Sequence, residues 1–304
     1  MRIVSLLPSA TEICFGLGLD EELVGVTHEC DFPAAANTKP KITRSKANEH
    51  LTSKEIDTLV RSQLEETGSI YELDLKALED LKPDIILTQR LCTVCAVSFD
   101  YVAAEAAKLS TTPAVINLEP RTLDEVFESI IEVGRLAQIE SKAKEYAAGL
   151  RSRVTEIEGD IAELEKPTVL FLEWADPPFA SGHWIPELIE LAGGLNTKAF
   201  KHWPSRQISW DDVNTAKADI IVIAECGFGV KRQIQDAETL KQQLTYAPEA
   251  IWIADGSQYF SRPGPRLVES IEILAGILHP EQRETYLQKF IEAGEVMTFE
   301  MSAS

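Results

Sequence analysis

The chain has 304 residues, 44% of them hydrophobic, enough to fold and to fill more than one core. Its 49 acidic and 29 basic residues leave a net charge of −20. That excludes a nucleic-acid or anionic-membrane surface, both of which need clustered Lys and Arg. No apolar run reaches the ~18 residues of a membrane span.

Apolar runs and turn residues predict a strand at 3–7, a helix at 11–19 and strands at 23–27 and 41–43. Helices at 51–63 and 73–81, a strand at 84–88, a helix at 101–109 and a strand at 114–118 follow. Pro120 and Pro167 then bracket a proline-free stretch. Thr122 and Glu125 form a capping-box signature at its start. Val126, Ile130, Val133, Ala137, Ala143, Ala147, Leu150, Val154, Ile157, Ile161 and Leu164 make one apolar stripe along it. The expectation is one continuous helix over 122–165, about 60 Å long, acting as a strut between two lobes; a coiled-coil arm is the alternative.

Beyond the strut come strands at 169–173, 220–224 and 251–254 and helices at 185–192, 211–216, 237–244, 267–278 and 280–293, then a frayed tail. Lys82-Pro83-Asp84-Ile85-Ile86-Leu87 is echoed by Lys217-Ala218-Asp219-Ile220-Ile221-Val222. The fold class is therefore α/β: two α/β lobes with mainly parallel sheets joined by one long backbone helix. Its parts are residues 1–120, 121–166 and 167–304.

Ligands of open α/β sheets sit beyond the carboxyl ends of the strands. In the first lobe that rule selects Pro8 and Ser9, His28 and Cys30, Arg44, and Gln89, Arg90 and Cys92. In the second it selects Trp174, Phe179, His183, Trp184, the Glu225-Cys226-Gly227-Phe228 run, Tyr259, Phe260 and Arg262. All five tryptophans follow the strut. Each loop aromatic serves equally well as a lid on a core, but together they suit a large flat ligand. Cys92 and Cys95, with His28 and Cys30, have the composition of a Cys₃His metal set; a redox pair and plain packing are the alternatives. The odd count of five cysteines is not a disulfide framework. No Walker loop, GxGxxG, HExxH or GxSxG motif is present, which points to binding rather than catalysis and to no catalytic cofactor.

Several stretches resemble the cobalamin-binding substrate-binding proteins of ABC transporters, in the helical-backbone class that also carries siderophores and haem. They are Ile3-Val4-Ser5-Leu6-Leu7-Pro8-Ser9-Ala10-Thr11-Glu12, Leu81-Lys82-Pro83-Asp84-Ile85-Ile86, Pro177-Pro178-Phe179-Ala180-Ser181-Gly182, Gln207-Ile208-Ser209-Trp210-Asp211 and Tyr259-Phe260-Ser261-Arg262-Pro263-Gly264-Pro265-Arg266. The resemblance covers nearly the whole chain. It implies a corrinoid held in an aromatic inter-lobe cleft, lined by Trp174, Phe179, Trp203, Tyr259 and Arg262, with Gln89 where some relatives carry a stacking Trp. It implies permease docking through Asp211, where relatives tend to carry Glu; Asp100 is the nearest counterpart of a second docking acid. His183 or His28 offers an imidazole to cobalt or iron, and Arg44, Arg90, Arg206 and Arg262 offer charge to anionic arms. An iron-siderophore or haem binder on the same fold, and a cytosolic redox or metal protein using Cys92 and Cys95, are the rivals. The opening Arg2-Ile3-Val4-Ser5-Leu6-Leu7 is too short for the apolar core of a leader. A native Met1 implies a cytoplasmic protein; a leader removed upstream implies a periplasmic or extracellular one.

Overall fold

The computed structural model describes residues 1–45, 52–67, 71–90 and 99–300. Contacts divide the chain into a first unit, Met1–Pro120 with Glu125–Ala147, and a second, Arg121–Asp124 with Ala148–Ser304. The first unit contains β1 (Ile3–Ser5), α1 (Pro8–Gly16), β2 (Leu23–Val26), β3 (Thr43–Ser45), α2 (Ser53–Thr67), β4 (Tyr71–Leu73), α3 (Leu75–Leu81), β5 (Ile85–Thr88), α4 (Phe99–Ala106) and β6 (Ala114–Asn117). Its main sheet is parallel, in the order β2-β1-β5-β6. Val4, Leu6 and Ile86 point to one face and bury themselves against Ile42, Leu78, Val102 and Ala106, which is the period-2 alternation of strands at work. The expected strand at 41–43 lies two residues later, as β3, and pairs antiparallel with β4, which sequence patterning missed.

Two helices follow, α5 (Leu123–Leu136) and α6 (Glu140–Ile161). The continuous helix expected over 122–165 is therefore broken at residues 137–139. Gln138 adopts φ 61°. The Gln138 N–H bonds to the Arg135 carbonyl at 3.0 Å and the Ile139 N–H to the Gly134 carbonyl at 2.8 Å. That paired bonding is a Schellman stop, normally marked by glycine. The chain then doubles back: Gly134 lies so close to Ala143 that an added Cβ would overlap it, and Arg151 pairs with Asp124 at 2.5 Å. The apolar stripe ran on across the break because Val126, Ile130, Val133, Ala143, Ala147, Leu150, Val154, Ile157 and Ile161 are all buried, on both helices of the hairpin. The long backbone helix is thus α6, about 33 Å of helix, and the boundary between the units falls inside it.

The second unit contains β7 (Thr168–Ala175), β8 (Pro178–Ala180), β9 (Gly182–His183), α7 (Ile185–Leu191), β10 (Leu195–Asn196), β11 (Phe200–Lys201), β12 (Arg206–Gln207), α8 (Trp210–Ala216), β13 (Ile220–Ile223), α9 (Val230–Gln243) and β14 (Ala250–Ala254). A π-helical turn (Gly256–Phe260), α10 (Leu267–Leu278), α11 (Arg283–Tyr286), α12 (Gln288–Glu292) and β15 (Val296–Phe299) complete it. The sheet runs β12-β8-β7-β13-β14-β15, with β10 also on β7. Its central strands β7, β13 and β14 are parallel, and β13 is buried throughout, as a strand covered on both faces must be. Two expectations fail here. The helix over 280–293 is a 3₁₀ turn followed by two short helices, and the tail folds back as β15, antiparallel to β14.

The internal echo has a structural meaning. α3 and α8 both end on a left-handed lysine, Lys82 and Lys217, each with φ 46°. Two residues on, Asp84 accepts the Arg2 N–H at 2.7 Å and Asp219 the Thr168 N–H at 2.8 Å. In both units an aspartate beside a central strand thus ties down the entry to the neighbouring first strand.

Candidate functional site

In the first unit β1 connects to β2 on one side and β5 to β6 on the other. The loops after β1 and β5 therefore diverge, which is where open sheets bind ligands. Pro8 stands at the first turn of α1, whose N-cap Leu7 supplies no side-chain cap, and Ser9 is buried. Below them the strand tips are stitched by hydroxyls. Ser5 Oγ donates to the Leu7 carbonyl at 2.8 Å, Thr11 Oγ1 donates to Ser5 Oγ at 2.9 Å, and Cys30 Sγ lies 3.0 Å from Thr11 Oγ1. Thr43 Oγ1 lies 2.7 Å from Thr27 Oγ1 and 2.8 Å from His28 Nδ1. Burial, helped by the charge of Lys41, holds His28 below the usual imidazole value, so its ring is neutral near pH 7. His28 and Cys30 are each engaged by a threonine. Among the described residues no group of three or more His, Cys, Asp or Glu side chains is placed to hold a metal ion; Cys92 and Cys95 lie outside those residues. Gln89 is buried. Arg44 is exposed on β3. Arg90 lies over the Phe99 ring and binds Asp100 at 2.7 Å, so the acid nearest to a second docking position already has a cation.

The second unit has the same crossover reversal between β7 and β13. Here the tips carry rings. Trp174, near the end of β7, packs on Phe228 with centroids 5.0 Å apart and planes at 34°. Phe179 stands opposite Trp174 in the β7–β8 register. All three are half-buried, which leaves ring surface for a guest. The Arg232 guanidinium covers Phe228 at 4.6 Å, and Trp174 Nε1 is satisfied by the Asp176 carbonyl at 3.0 Å. Trp203 is 63% exposed. Arg206, exposed, lies over Phe200 at 4.8 Å. His183 holds φ 50°; its Nε2 is buried with no hydrogen-bond partner among the described residues, and burial, with the charge of Arg121, lowers its pKa.

Other predicted site residues turn inward. Trp184 is 6% exposed, and its Nε1 donates to the Phe260 carbonyl at 3.0 Å. Phe260 is 2% exposed and packs on Phe171. Tyr259 is buried, with its hydroxyl on Glu295 at 2.7 Å and its ring edge-on to Phe290; burial and Glu295 push its pKa up. Arg262 is buried, donating to Ser257 Oγ. Trp252 is core, and Trp210 packs against the core. The π-helical turn carries Tyr259 and Phe260 into the interior, so these residues hold the unit together. Asp211 is exposed on the first turn of α8, while its neighbour Asp212 closes the capping box with Ser209.

Sequence reasoning passed over Glu173 altogether and selected Phe228 and Glu225 only as part of their loop run. Glu173 was visible as the lone charge in an otherwise apolar strand, and Glu225 as the acid ending an apolar one. Burial pushes Glu173 up to about 7, against hydrogen bonds from Gly182 and Ser205. Burial and then the charge of Asp236 push Glu225 up to about 9.

The sequence profile of the periplasmic binding protein family matches residues 3–252, and the chain belongs to that family. A vitamin B12-binding protein of Vibrio cholerae serotype O1 is 25% identical over 289 residues, 93% of this chain and 91% of the relative. One from Yersinia pestis is 24% identical over 270 residues, 88% of this chain and 82% of the relative. Among solved structures, the periplasmic vitamin B12 binding protein BtuF of Vibrio cholerae superposes with a TM-score of 0.67 at 20% identity, covering 93% of this chain and 98% of that one. A periplasmic heme binding protein from Pseudomonas aeruginosa gives 0.72 at 17% identity, covering 92% of each chain. The structural likenesses establish the fold.

Proposed function

We propose, from membership of that family, that this chain is a binding protein for a corrinoid such as cobalamin, serving ABC-type uptake or intracellular carriage, and not an enzyme. One observation carries the reading: the Trp174–Phe228 pair with Phe179 beside it, at the crossover reversal of the second unit. Half-buried rings with few free polar groups suit a broad, flat, largely apolar guest. Trp203 and His183 are the further contacts in the second unit in this reading; Pro8, Ser9, Gln89 and Arg90 are the candidate contacts at the strand tips of the first. The exposed Asp211 is the point of contact for a permease. The family's name favours a periplasmic or extracellular setting.

Titration with cyanocobalamin, followed by tryptophan emission and by the absorbance retained after unbound ligand is removed, tests this directly. Saturable quenching with a retained corrinoid spectrum supports it; folded protein that gives neither overturns it. The haem reading draws on one observation, the unpartnered Nε2 of a neutral His183. A Soret band that survives gel filtration and is lost in His183→Ala would favour that ligand instead.

A further inference from the structure

Glu173 precedes Trp174 on β7 and takes no part in the ring contacts; its carboxyl reaches Gly182 instead. In the β7–β8 pairing Leu172 stands opposite Ala180 and Trp174 opposite Phe179, so Glu173 is the extra residue of a bulge. Bulges re-aim side chains next to binding sites. Here Glu173 Oε1 accepts the Gly182 N–H at 2.7 Å, and the carboxyl takes a second hydrogen bond from Ser205. The Trp203, Pro204 and Ser205 backbone passes directly over Gly182, so tightly that no Cβ fits there. The Trp203 carbonyl accepts the His183 N–H at 2.6 Å. One carboxyl therefore ties together the tip of β7, the corner between β8 and β9, and the loop that carries the exposed Trp203 indole. Glu173 is half-buried, and a tie at this place needs only a neutral acceptor, so an ionisable group here makes the tie depend on pH.

We propose that Glu173 is a positioning residue for ligand binding: its carboxyl latches the Trp203–Ser205 segment to the β7 bulge, so that the exposed Trp203 indole is presented to the ligand in one orientation. This rests on the reading of the second unit as the corrinoid-binding face. The titratable and charged side chains on the surrounding elements are His183 on β9, Lys201 on β11, His202 and Arg206 flanking the segment, and Glu225 and Cys226 after β13. The pKa of Glu173 is set by burial, opposed by the bonds from Gly182 and Ser205. Both of those partners donate, so the ionised carboxylate grips the segment. Protonation near pH 7 removes one acceptor and loosens it.

The test reads the latch without ligand first. Acrylamide quenching of Trp203, taken as the difference between the full chain and its Trp203→Phe variant, is followed from about pH 5.5 to about pH 8.5, a range that spans the titration. The expected result is one transition near neutrality, with Trp203 more accessible on the acid side. That transition vanishes in Glu173→Gln, and Glu173→Ala is open at every pH. In cyanocobalamin titrations at pH 8, Glu173→Ala weakens binding about tenfold, the scale of one lost charge-assisted hydrogen bond, and Glu173→Gln much less, with its pH dependence gone. A flat quenching profile shared by all three proteins overturns the latch, and so does unchanged affinity in Glu173→Ala. If Glu173→Ala fails to fold, the pH profile of Glu173→Gln decides alone. Absence of corrinoid binding by the unaltered chain refutes the proposed ligand, and the ligand-free quenching still decides whether the latch exists.

Discussion

Glu225→Gln should make the protein more stable at neutral and alkaline pH. Glu225 is fully buried at the end of β13. Its Oε1 accepts the Ala175 N–H at 2.8 Å, and the carboxyl also meets that of Asp236, to which it hydrogen-bonds when protonated. Asp236, close by, is held by Arg232 at 2.9 Å. Burial and that neighbouring carboxylate raise Glu225 from 4.5 to about 9, so the folded chain keeps the proton at pH 7 while the unfolded chain has released it. The sign follows: stability is full below the unfolded value and falls as pH rises, until the folded group also ionises. Each pH unit costs about 1.4 kcal/mol. The loss from this residue is then about 3 kcal/mol at pH 7, and about 6 kcal/mol above pH 9. A glutamine keeps the acceptor for Ala175, offers an amide to Asp236 and never ionises. Urea unfolding followed by far-UV circular dichroism from pH 4 to pH 9, roughly the span of both values, should give curves that coincide at the acid end. They should then separate, with the variant ahead by about 3 kcal/mol at pH 7. Parallel curves across that range would refute the assignment of a neutral, buried carboxyl.

Trp174→Ala should leave the unfolding midpoint nearly unchanged but weaken cyanocobalamin binding by about tenfold or more, as loss of a central aromatic anchor does. Trp184→Ala should do the reverse, costing about 3–5 kcal/mol in denaturant titration because it empties a core site and orphans the Phe260 carbonyl. Gly134→Ala forces two Cβ atoms together at the α5–α6 crossing. The overpacking, of about 1–3 kcal/mol, should exceed the helix-propensity gain of about 1 kcal/mol. Adding Ala143→Gly should restore most of the loss, and a strictly additive double-mutant cycle would argue that the two helices do not touch there.

The alternation of apolar runs with helical periods was enough to place the parallel strands, because a central strand such as Ile220–Ile223 must be apolar throughout and its neighbours inherit the pattern. The paired Lys–Asp turns were legible for a local reason: each aspartate needs only the strand beside it. Three things were not. The stop at Gln138 carries no glycine or proline to mark it, and the apolar stripe continues past it because both helices bury one face. The strand Val296–Phe299 exists because β14 leaves an unpaired edge for it, and four residues of tail cannot state that by themselves. Trp184, Tyr259 and Phe260 differ from Trp174, Phe179 and Phe228 in no property of the residue. An indole in a loop faces in or out according to whether an interior carbonyl, here that of Phe260, meets its N–H. Residue types along the chain thus determined the layers and where strand tips would gather. Which rings line a surface, and which carboxyls sink beneath it, was decided only when distant segments came together and set each group's solvent and partners.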